Sequence, residues 1–323
     1  MADSIQPLRY PLPVTIPQRI VYRMRRFANR HIRFLLPLLS LLRRRFTVVD
    51  HFGTPGDSIM TATICRNLKE KHPGLRLNLI TRNASLLTLD PALFSVNDKE
   101  TFFAIDFEYV ALTNRRENQI NILEPTMRRL GCGTYSFQAR VYLSEEERRA
   151  ARARLTFTDE RPIVSINVKS REDVKDWHVE RWRELVARLR ENCHVIHLGD
   201  DREPEIEGVL RVAGKLNMRE SLAMLSCAEV HIGPDSFLAH GASGVGVPSV
   251  VIFGGARSAV CVGYRENINL YVQVDCAPCY LHNSRGDQCP HAKKCMDQIS
   301  VDDVVKAVDS LLARRQRKAA VVA

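Results

Sequence analysis

From Phe46 onward the chain alternates short β-branched runs with stretches patterned for helix, and this alternation limits the folds open to it more than any other feature. Phe46 to Phe52 is a strand-like run, Ile59 to His72 a helical one, and Leu75 to Arg82 a second strand ended by Asn83. After the charged helix Ser144 to Arg154 a second series begins. It runs through the strand Pro162 to Val168, a helix around Trp177 to Asn192 and the strand His194 to Leu198. Ser221 to Ser226, Val230 to Gly233, a helix from Ser236 and the strand Ser249 to Phe253 follow. Such alternation predicts parallel sheets covered on both faces, because a parallel pair needs a crossover long enough to hold a helix. Two α/β units joined near residue 155 suit a chain of 323 residues, since about 100–200 residues make one domain. The chain closes on an amphipathic helix, Val301 to Leu312, with Val301, Val304, Val305, Val308, Leu311 and Leu312 on one stripe.

Charge is placed unevenly. Residues 4 to 49 hold ten Arg and no Asp or Glu, which leaves 37 basic against 37 acidic residues elsewhere. The formal net charge of +10 therefore matches the ten Arg that dominate a basic arm, residues 1–45, and a nucleic-acid-binding body is excluded as a starting point. Within residues 17–45, Ile20, Val21, Met24, Phe27, Ile32, Phe34, Leu35 and Leu36 interleave with Arg, giving an interrupted amphipathic helix that Pro37 breaks or kinks. The arm is expected either to lie on an anionic membrane surface or to pack on its own domain with its Arg in solvent. No stretch approaches the ~20 apolar residues of a membrane span. Nine Cys, five of them scattered singly, fit reduced thiols in the cytoplasm better than a disulfide framework. The location expected is cytoplasmic, peripheral on the inner face of the membrane.

In open parallel sheets ligands bind where a strand's carboxyl end feeds a helix whose amides and positive dipole end attract anions. Two loops have that setting. In His51-Phe52-Gly53-Thr54-Pro55-Gly56-Asp57-Ser58, Asp57 stands at the helix start, where a reactive carboxylate and a plain N-cap are both open readings. In Gly233-Pro234-Asp235-Ser236-Phe237-Leu238-Ala239-His240, Asp235 and Ser236 open a helix and His240 lies a little over one turn inside it. Capping by Asp235 or Ser236 with a packed His240 is the plainer alternative. Neither loop has the spacing G-x-x-x-x-G-K-[ST], and no G-x-G-x-x-G opens a βαβ unit, so kinase and ordinary dehydrogenase readings lose support.

As an ordered set these residues resemble glycosyltransferase family 9, which contains the heptosyltransferases of lipopolysaccharide synthesis. The set is Gly56-Asp57 with the following helix and Pro73, then Lys175-Asp176-Trp177 ahead of Trp182-Arg183-Glu184-Leu185, then Gly233-Pro234-Asp235-Ser236 with His240 and Gly246-Val247-Pro248. The resemblance spans roughly Phe46 to Leu312. It implies an α/β chain of GT-B architecture, two Rossmann-like domains facing across a cleft. Residues 46–155 would form the acceptor domain and 156–323 the nucleotide-sugar domain. It also implies inverting transfer with no catalytic metal, from a donor such as ADP-heptose to a glycan or lipid-linked acceptor. Carried over by motif, Asp57 would be the general base and Lys175 the cation that stabilises the departing diphosphate. Glu203 would hold the donor ribose, with Asp200, Asp201 and Glu205 as neighbouring competitors. Asp235 would contact donor sugar hydroxyls, the amides from Ser236 onward would meet the pyrophosphate, and Gly56 and His240 would complete the donor contacts. Phe237 stands where the heptosyltransferase pattern has Gly. A nucleotide-sugar epimerase or hydrolase, and a non-catalytic binding protein with a decayed site, are the rival functions.

The segment Cys276-x2-Cys279-x9-Cys289-Pro290-His291-x3-Cys295 carries the ligand types of a tetrahedral zinc or mononuclear iron site, at a spacing foreign to common zinc fingers. A structural metal, free thiols and catalytic thiols all remain open for it.

Overall fold

The computed structural model describes residues 23–25, 27–108, 119–279, 281 and 286–322, the last five of these without side chains. The part of the basic arm before residue 23 lies outside the described residues. The chain divides into two compact units, one within Met1–Val110 and Ile122–Val141, the other within Ala111–Asn121 and Tyr142–Ala323.

The first unit begins with helix α1 (Ile32–Leu41), followed by β1 (Arg45–Val49), α2 (Pro55–Lys71), β2 (Arg76–Ile80), β3 (Ser95–Val96) and β4 (Ala104–Asp106). Its strands form one parallel sheet in the order β3-β2-β1-β4. β1 leads outward through β2 and β3, and β4 then returns to its other side, so the order reverses between β1 and β4. Helix α2 is buried continuously from Gly56 to Leu68, which explains its lack of a two-faced pattern: it is a central helix with no solvent stripe.

Helix α1 differs from the expected arm. Ile32, Leu36 and Leu39 are at most 5% exposed and form part of the core. The amide of Gly74 donates to Ser40 Oγ at 3.1 Å, and Arg76 N donates to Arg44 O. The boundary expected at residue 45 therefore gives way, since α1 is a piece of the first unit. Pro37 does not break it either. It sits inside the helix on the exposed side, where water can take up the carbonyl that its missing N–H leaves.

The second unit carries α3 (Glu145–Arg152), β5 (Ile163–Ile166), α4 (Val179–Leu189), β6 (His194–His197), β7 (Leu210–Arg211) and α5 (Met218–Leu225). It continues with β8 (Val230–Pro234), α6 (Phe237–Gly244), β9 (Ser249–Gly254), β10 (Ile268–Tyr271) and the closing helix α7 (Val301–Val322). Six parallel strands run β10-β9-β8-β5-β6-β7. This is the strand order of a doubly wound dinucleotide-binding sheet, with its reversal between β5 and β8. Helix α3, expected to end the first domain, packs on α5 instead, and Arg219 of α5 pairs with Glu147 of α3. The second unit thus takes in the chain from Tyr142 rather than from about 156.

Val164, Ile166, Val230, Ile232, Val250 and Ile252 from the central strands share one core with Trp182 and Leu185 of α4 and with Val304, Val308 and Leu311 of α7. Fully burying a side chain of this kind stabilises by roughly 1.5–3 kcal/mol. Trp177 meets Trp182 edge-on at 5.5 Å and donates its indole N–H to Ile299 O at 3.1 Å. The two Trp of the sequence motif therefore anchor the loop that carries Lys175. Among the described residues no helix is long and apolar enough to cross a membrane.

Candidate functional site

In the first unit the loop from β1 to α2 is built on a buried carboxylate. Asp50, 4% exposed, accepts Gly53 N at 3.0 Å, Ser58 Oγ at 2.7 Å and Thr81 Oγ1 at 2.9 Å. Asn83 Nδ2 donates to Gly53 O at 3.0 Å and Ser58 Oγ at 2.9 Å. Gly53 has φ +64°, and the stem of Arg82 occupies the space a Cβ would need, so only glycine fits the turn. Three hydroxyl or amide partners hold Asp50, Asn83 braces two of them, and the loop that precedes Asp57 is held rigidly from beneath.

Asp57 is the third residue of α2, and the N-cap is Thr54. Thr54 Oγ1 donates to Asp57 Oδ2 at 2.7 Å, and Asp57 N donates back to Thr54 Oγ1 at 3.4 Å. The capping reading of Asp57 is corrected by this geometry, because the hydroxyl of Thr54 does that work. Gly56, the second residue of the helix, contributes backbone only. His51 Nε2 lies 2.8 Å from Asp106 Oδ1 across the β1/β4 reversal. The bond to Asp106 raises the His51 pKa, burial opposes it, and the charges of Asp106 and Asp50 add to the rise. Neither Asp50 nor the His51–Asp106 pair was singled out from sequence. The one available signal was that all three stand at strand carboxyl ends.

In the second unit the β5/β8 reversal gathers residues 60 positions apart. Lys175, on the loop after β5, places Nζ 2.7 Å from Asp235 Oδ2 and 3.1 Å from Asp235 O, directly after β8. Arg257, on the loop after β9, brings Nε to 3.9 Å from the same oxygen. Burial pushes the Asp235 carboxyl up, but Lys175, His240 and Arg257 outweigh it and bring its pKa to about 2. Lys175 is lowered, chiefly by burial, with Asp235 opposing and Arg257 adding repulsion. Burial takes His240 down to about 4, so its ring is neutral at neutral pH. His240 Nδ1 meets the Tyr264 hydroxyl at 2.9 Å, while Nε2 stands 3.7 Å from Asp235 Oδ1, beyond hydrogen-bond length. Sequence reasoning missed Arg257, which no motif marks.

Ser236 is the N-cap of α6, yet its side chain makes no capping bond, and its buried Oγ has no hydrogen-bond partner. A buried hydroxyl left unpaired costs about 1–3 kcal/mol. Here it lies at the N-terminal end of α6, directly after Lys175's partner Asp235, a setting that favours an anion. Gly233 is required for a separate reason: a Cβ would sit 2.2 Å from Asn167 Oδ1.

Glu203 bonds to the loop after β5. Its carboxylate accepts Val168 N at 2.8 Å and Lys169 N at 3.1 Å and lies 2.9 Å from His197 Nε2, with the residue 4% exposed. These bonds hold the loop after β5, so Glu203 shapes the backbone near the site. Asp176 acts similarly, accepting Ser170 N at 2.7 Å and Lys169 Nζ at 2.8 Å.

Cys276, Cys279, Cys289 and Cys295 line one cavity of about 180 Å³ together with His291 and Lys293. Among the described residues no three His, Cys, Asp or Glu stand close enough to hold a metal ion. The thiols ring a space without closing on a point.

Residues 117–289 match the model of glycosyltransferase family 9 (heptosyltransferase). None of the curated sequences compared matches the chain. Among solved structures, a family 9 glycosyl transferase from Veillonella parvula superposes with TM-score 0.65 at 15% identity, covering 84% of this chain and 97% of the other. The iron-containing dodecameric glycosyltransferase TibC of Escherichia coli gives 0.66 at 18% identity, over 84% and 76%. The E. coli ADP-heptose heptosyltransferase II gives 0.58 at 13% identity, over 84% and 99%. At such identities these likenesses speak for the fold, which is of the GT-B class.

Proposed function

The chain belongs to glycosyltransferase family 9, and we propose that it moves a sugar, heptose or a relative, from a nucleotide-sugar donor such as ADP-heptose to a cell-envelope glycan or lipid-linked acceptor, inverting the anomeric carbon. The observation that carries this reading is the buried Lys175–Asp235 pair beside the unpartnered Ser236 hydroxyl at the head of α6. A fixed cation and a helix end with free amides suit a diphosphate. Asp57 takes the acceptor hydroxyl's proton as that oxygen attacks, and the diphosphate departs from the opposite side of the ring. Lys175 and the α6 amides meet the charge that develops on it, where electrostatic stabilisation acts most on the barrier. Asp235, fixed by Lys175, offers carboxylate oxygens to donor hydroxyls. An assay with ADP-heptose and a soluble glycan fragment, with NMR of the product anomer, tests this. Free heptose or an epimerised donor formed without acceptor would replace transfer by hydrolysis or epimerisation, and binding without turnover would leave a binding protein.

The thiol cavity supplies the donor set of a structural zinc or iron site: Cys276, Cys279, Cys289 and Cys295 would hold the ion, and Lys293 N already donates to Cys289 Sγ at 3.3 Å. Such an ion would tie the segment to the closing helix and take no part in transfer. Cys279→Ser should lower bound metal and melting temperature together. Lost turnover with unchanged stability would make the thiols catalytic instead.

For the exposed side of α1 the partner proposed is an anionic bilayer at the inner face of the cytoplasmic membrane. Phe27, Phe34, Leu38 and Leu41 are 52–80% exposed, beside exposed Arg30, Arg33, Arg43 and Arg44, and each Arg near such a surface adds about 1 kcal/mol. Sedimentation with phosphatidylserine vesicles checks it. Binding that survives Phe34→Ser with Leu38→Ser would remove the proposal.

A further inference from the structure

Ligands of open parallel sheets bind outside the carboxyl ends of the strands, where the strand order reverses. In the first unit that place lies between β1 and β4. Asp106 is the last residue of β4, and His51 stands two residues beyond the end of β1. The register sets Val49 against Asp106, and Phe107 N donates to Val49 O at 2.9 Å directly after it. Phe52 and Phe107 then meet edge-on at 6.4 Å, so strand pairing and ring packing together fix the backbone that bears both side chains. The loop to Asp57 leaves from the same end of β1, and neighbouring strands stand only about 4.8 Å apart.

His51 Nε2 lies 2.8 Å from Asp106 Oδ1. An ionised carboxylate only accepts, so Nε2 carries the proton of this bond. His51 Nδ1 is buried without a hydrogen-bond partner, which makes Asp106 the one polar partner of the ring among the described residues. The carboxylate is placed otherwise, for its side chain is 50% exposed against 18% for the ring. Other histidine-bound carboxylates of the molecule are fully engaged. Glu203 divides its oxygens among Val168 N, Lys169 N and His197, and Asp159 divides its own between Arg161 and His194. Among the described residues His51 is the only side-chain partner of Asp106, so one carboxylate oxygen is held in place and the other faces outward from a rigid strand end.

We propose that Asp106 is an acceptor-binding residue that receives hydroxyls of the incoming sugar, and that His51 is the positioning residue that aims its carboxylate. The proposal rests on the reading of Asp57 as the base given above. Hydroxyls are the matching chemistry, since an ionised carboxylate oxygen can only accept. A sugar held at the end of β4 lies beside the loop that leads to Asp57, and holding a reactant in place at its base is one of the larger sources of rate in group transfer.

Steady-state transfer from ADP-heptose to a deacylated lipopolysaccharide oligosaccharide, with each substrate varied in turn, tests this. Transfer by wild type and its loss in Asp57→Ala come first, and the absence of either overturns the reading on which the subsite rests and the subsite with it. Given both, Asp106→Asn should raise KM for the oligosaccharide about tenfold while kcat, KM for ADP-heptose and the melting temperature stay close to wild type, as expected for lost acceptor binding. His51→Ala should raise the acceptor KM about threefold, and in the Asp106→Asn background it should add almost nothing, because the ring acts through the carboxylate. His51→Gln, which keeps an N–H near the place of Nε2, should restore most of the loss. An unchanged acceptor KM in Asp106→Asn overturns the subsite, as does an equal rise in the KM of both substrates. An undiminished effect of His51→Ala in the Asp106→Asn background overturns the positioning role. Should Asp106→Asn not fold, Asp106→Ser is read by the same criteria.

Discussion

Two buried aspartates stand at equivalent places in the two units, each at the carboxyl end of a strand beside the point where strand order reverses, and their partners differ in kind. Asp50 is satisfied by the Gly53 amide and the hydroxyls of Ser58 and Thr81. Asp235 is met by Lys175 and Arg257, with neutral His240 behind it. Neutral donors fix a loop without changing the local charge, which suits a scaffold beneath Asp57, the base proposed above. Cations around one carboxylate concentrate charge in a site of low dielectric, where it acts strongly on an incoming anion. The same strand-end position thus yields a rigid support in one unit and an electrostatic site in the other.

The comparison breaks first at Asp57 itself. Asp57→Ala should slow transfer by about 10²–10⁴, the contribution of a positioned base, and leave ADP affinity near wild type. A variant retaining more than about a tenth of the rate reduces Asp57 to helix-start packing. Lys175→Ala should act on the other unit and on both readouts, weakening ADP and lowering stability, because removing one member of a buried pair costs about 3–5 kcal/mol. Intact stability would show that solvent reaches Asp235 freely.

Acid should separate the units. Burial lowers His231 to about 3 and His240 to about 4, both in the second unit. The unfolded chain binds these protons at pH 6.5 and the folded one does not, so stability falls as pH drops from 6.5 toward 4, by several kcal/mol as an upper figure. Asp235, held near 2, contributes stability that is complete above its ordinary value of 3.8 and is lost as pH falls from there through about 2. In the first unit His51 is raised, so its contribution is complete below pH 6.5 and is lost only as pH rises through its folded pKa. His72, lowered by burial, opposes that trend. Hydrogen exchange at pH 4.5 against pH 7 should show residues 230–254 losing more protection than residues 45–80, and equal loss would contradict the assignment.

The smallest expected effect is that of Asp50→Asn. It removes charge from three hydrogen bonds and should cost about 2 kcal/mol, within the range for bonds to a charged group, while leaving ADP affinity unaltered. Weakened ADP binding in this variant would mean that Asp50 is not confined to scaffolding the first unit.

The alternation from Phe46, the stripe of the closing helix and the glycine-bearing loops were legible because each is a local pattern, repeated at the period of its own element. The same holds for the ordered motifs around Asp57, Lys175 and Asp235, and the family match over residues 117–289 takes in the last two. Strand β4, three residues long, was not legible, because so short a run has no period to read. Helix α1 looked like a free arm because Arg and apolar residues interleave there. Its burial of Ile32, Leu36 and Leu39 depends on Gly74 and Arg76, which lie more than thirty residues further along the chain.

By itself the sequence determined which side chains could carry chemistry and at which strand ends they stand. Tertiary structure alone decided their partners: that Lys175 meets Asp235 across 60 residues, that Arg257 joins them, and that Glu203 turns inward to hold Val168 and Lys169. The reason is physical. Secondary structure follows from periods of two and 3.6 residues that any short window contains. The bonds of a buried carboxylate depend instead on strand order and on which donors that order places within 3 Å, and no window of sequence holds both ends of such a bond.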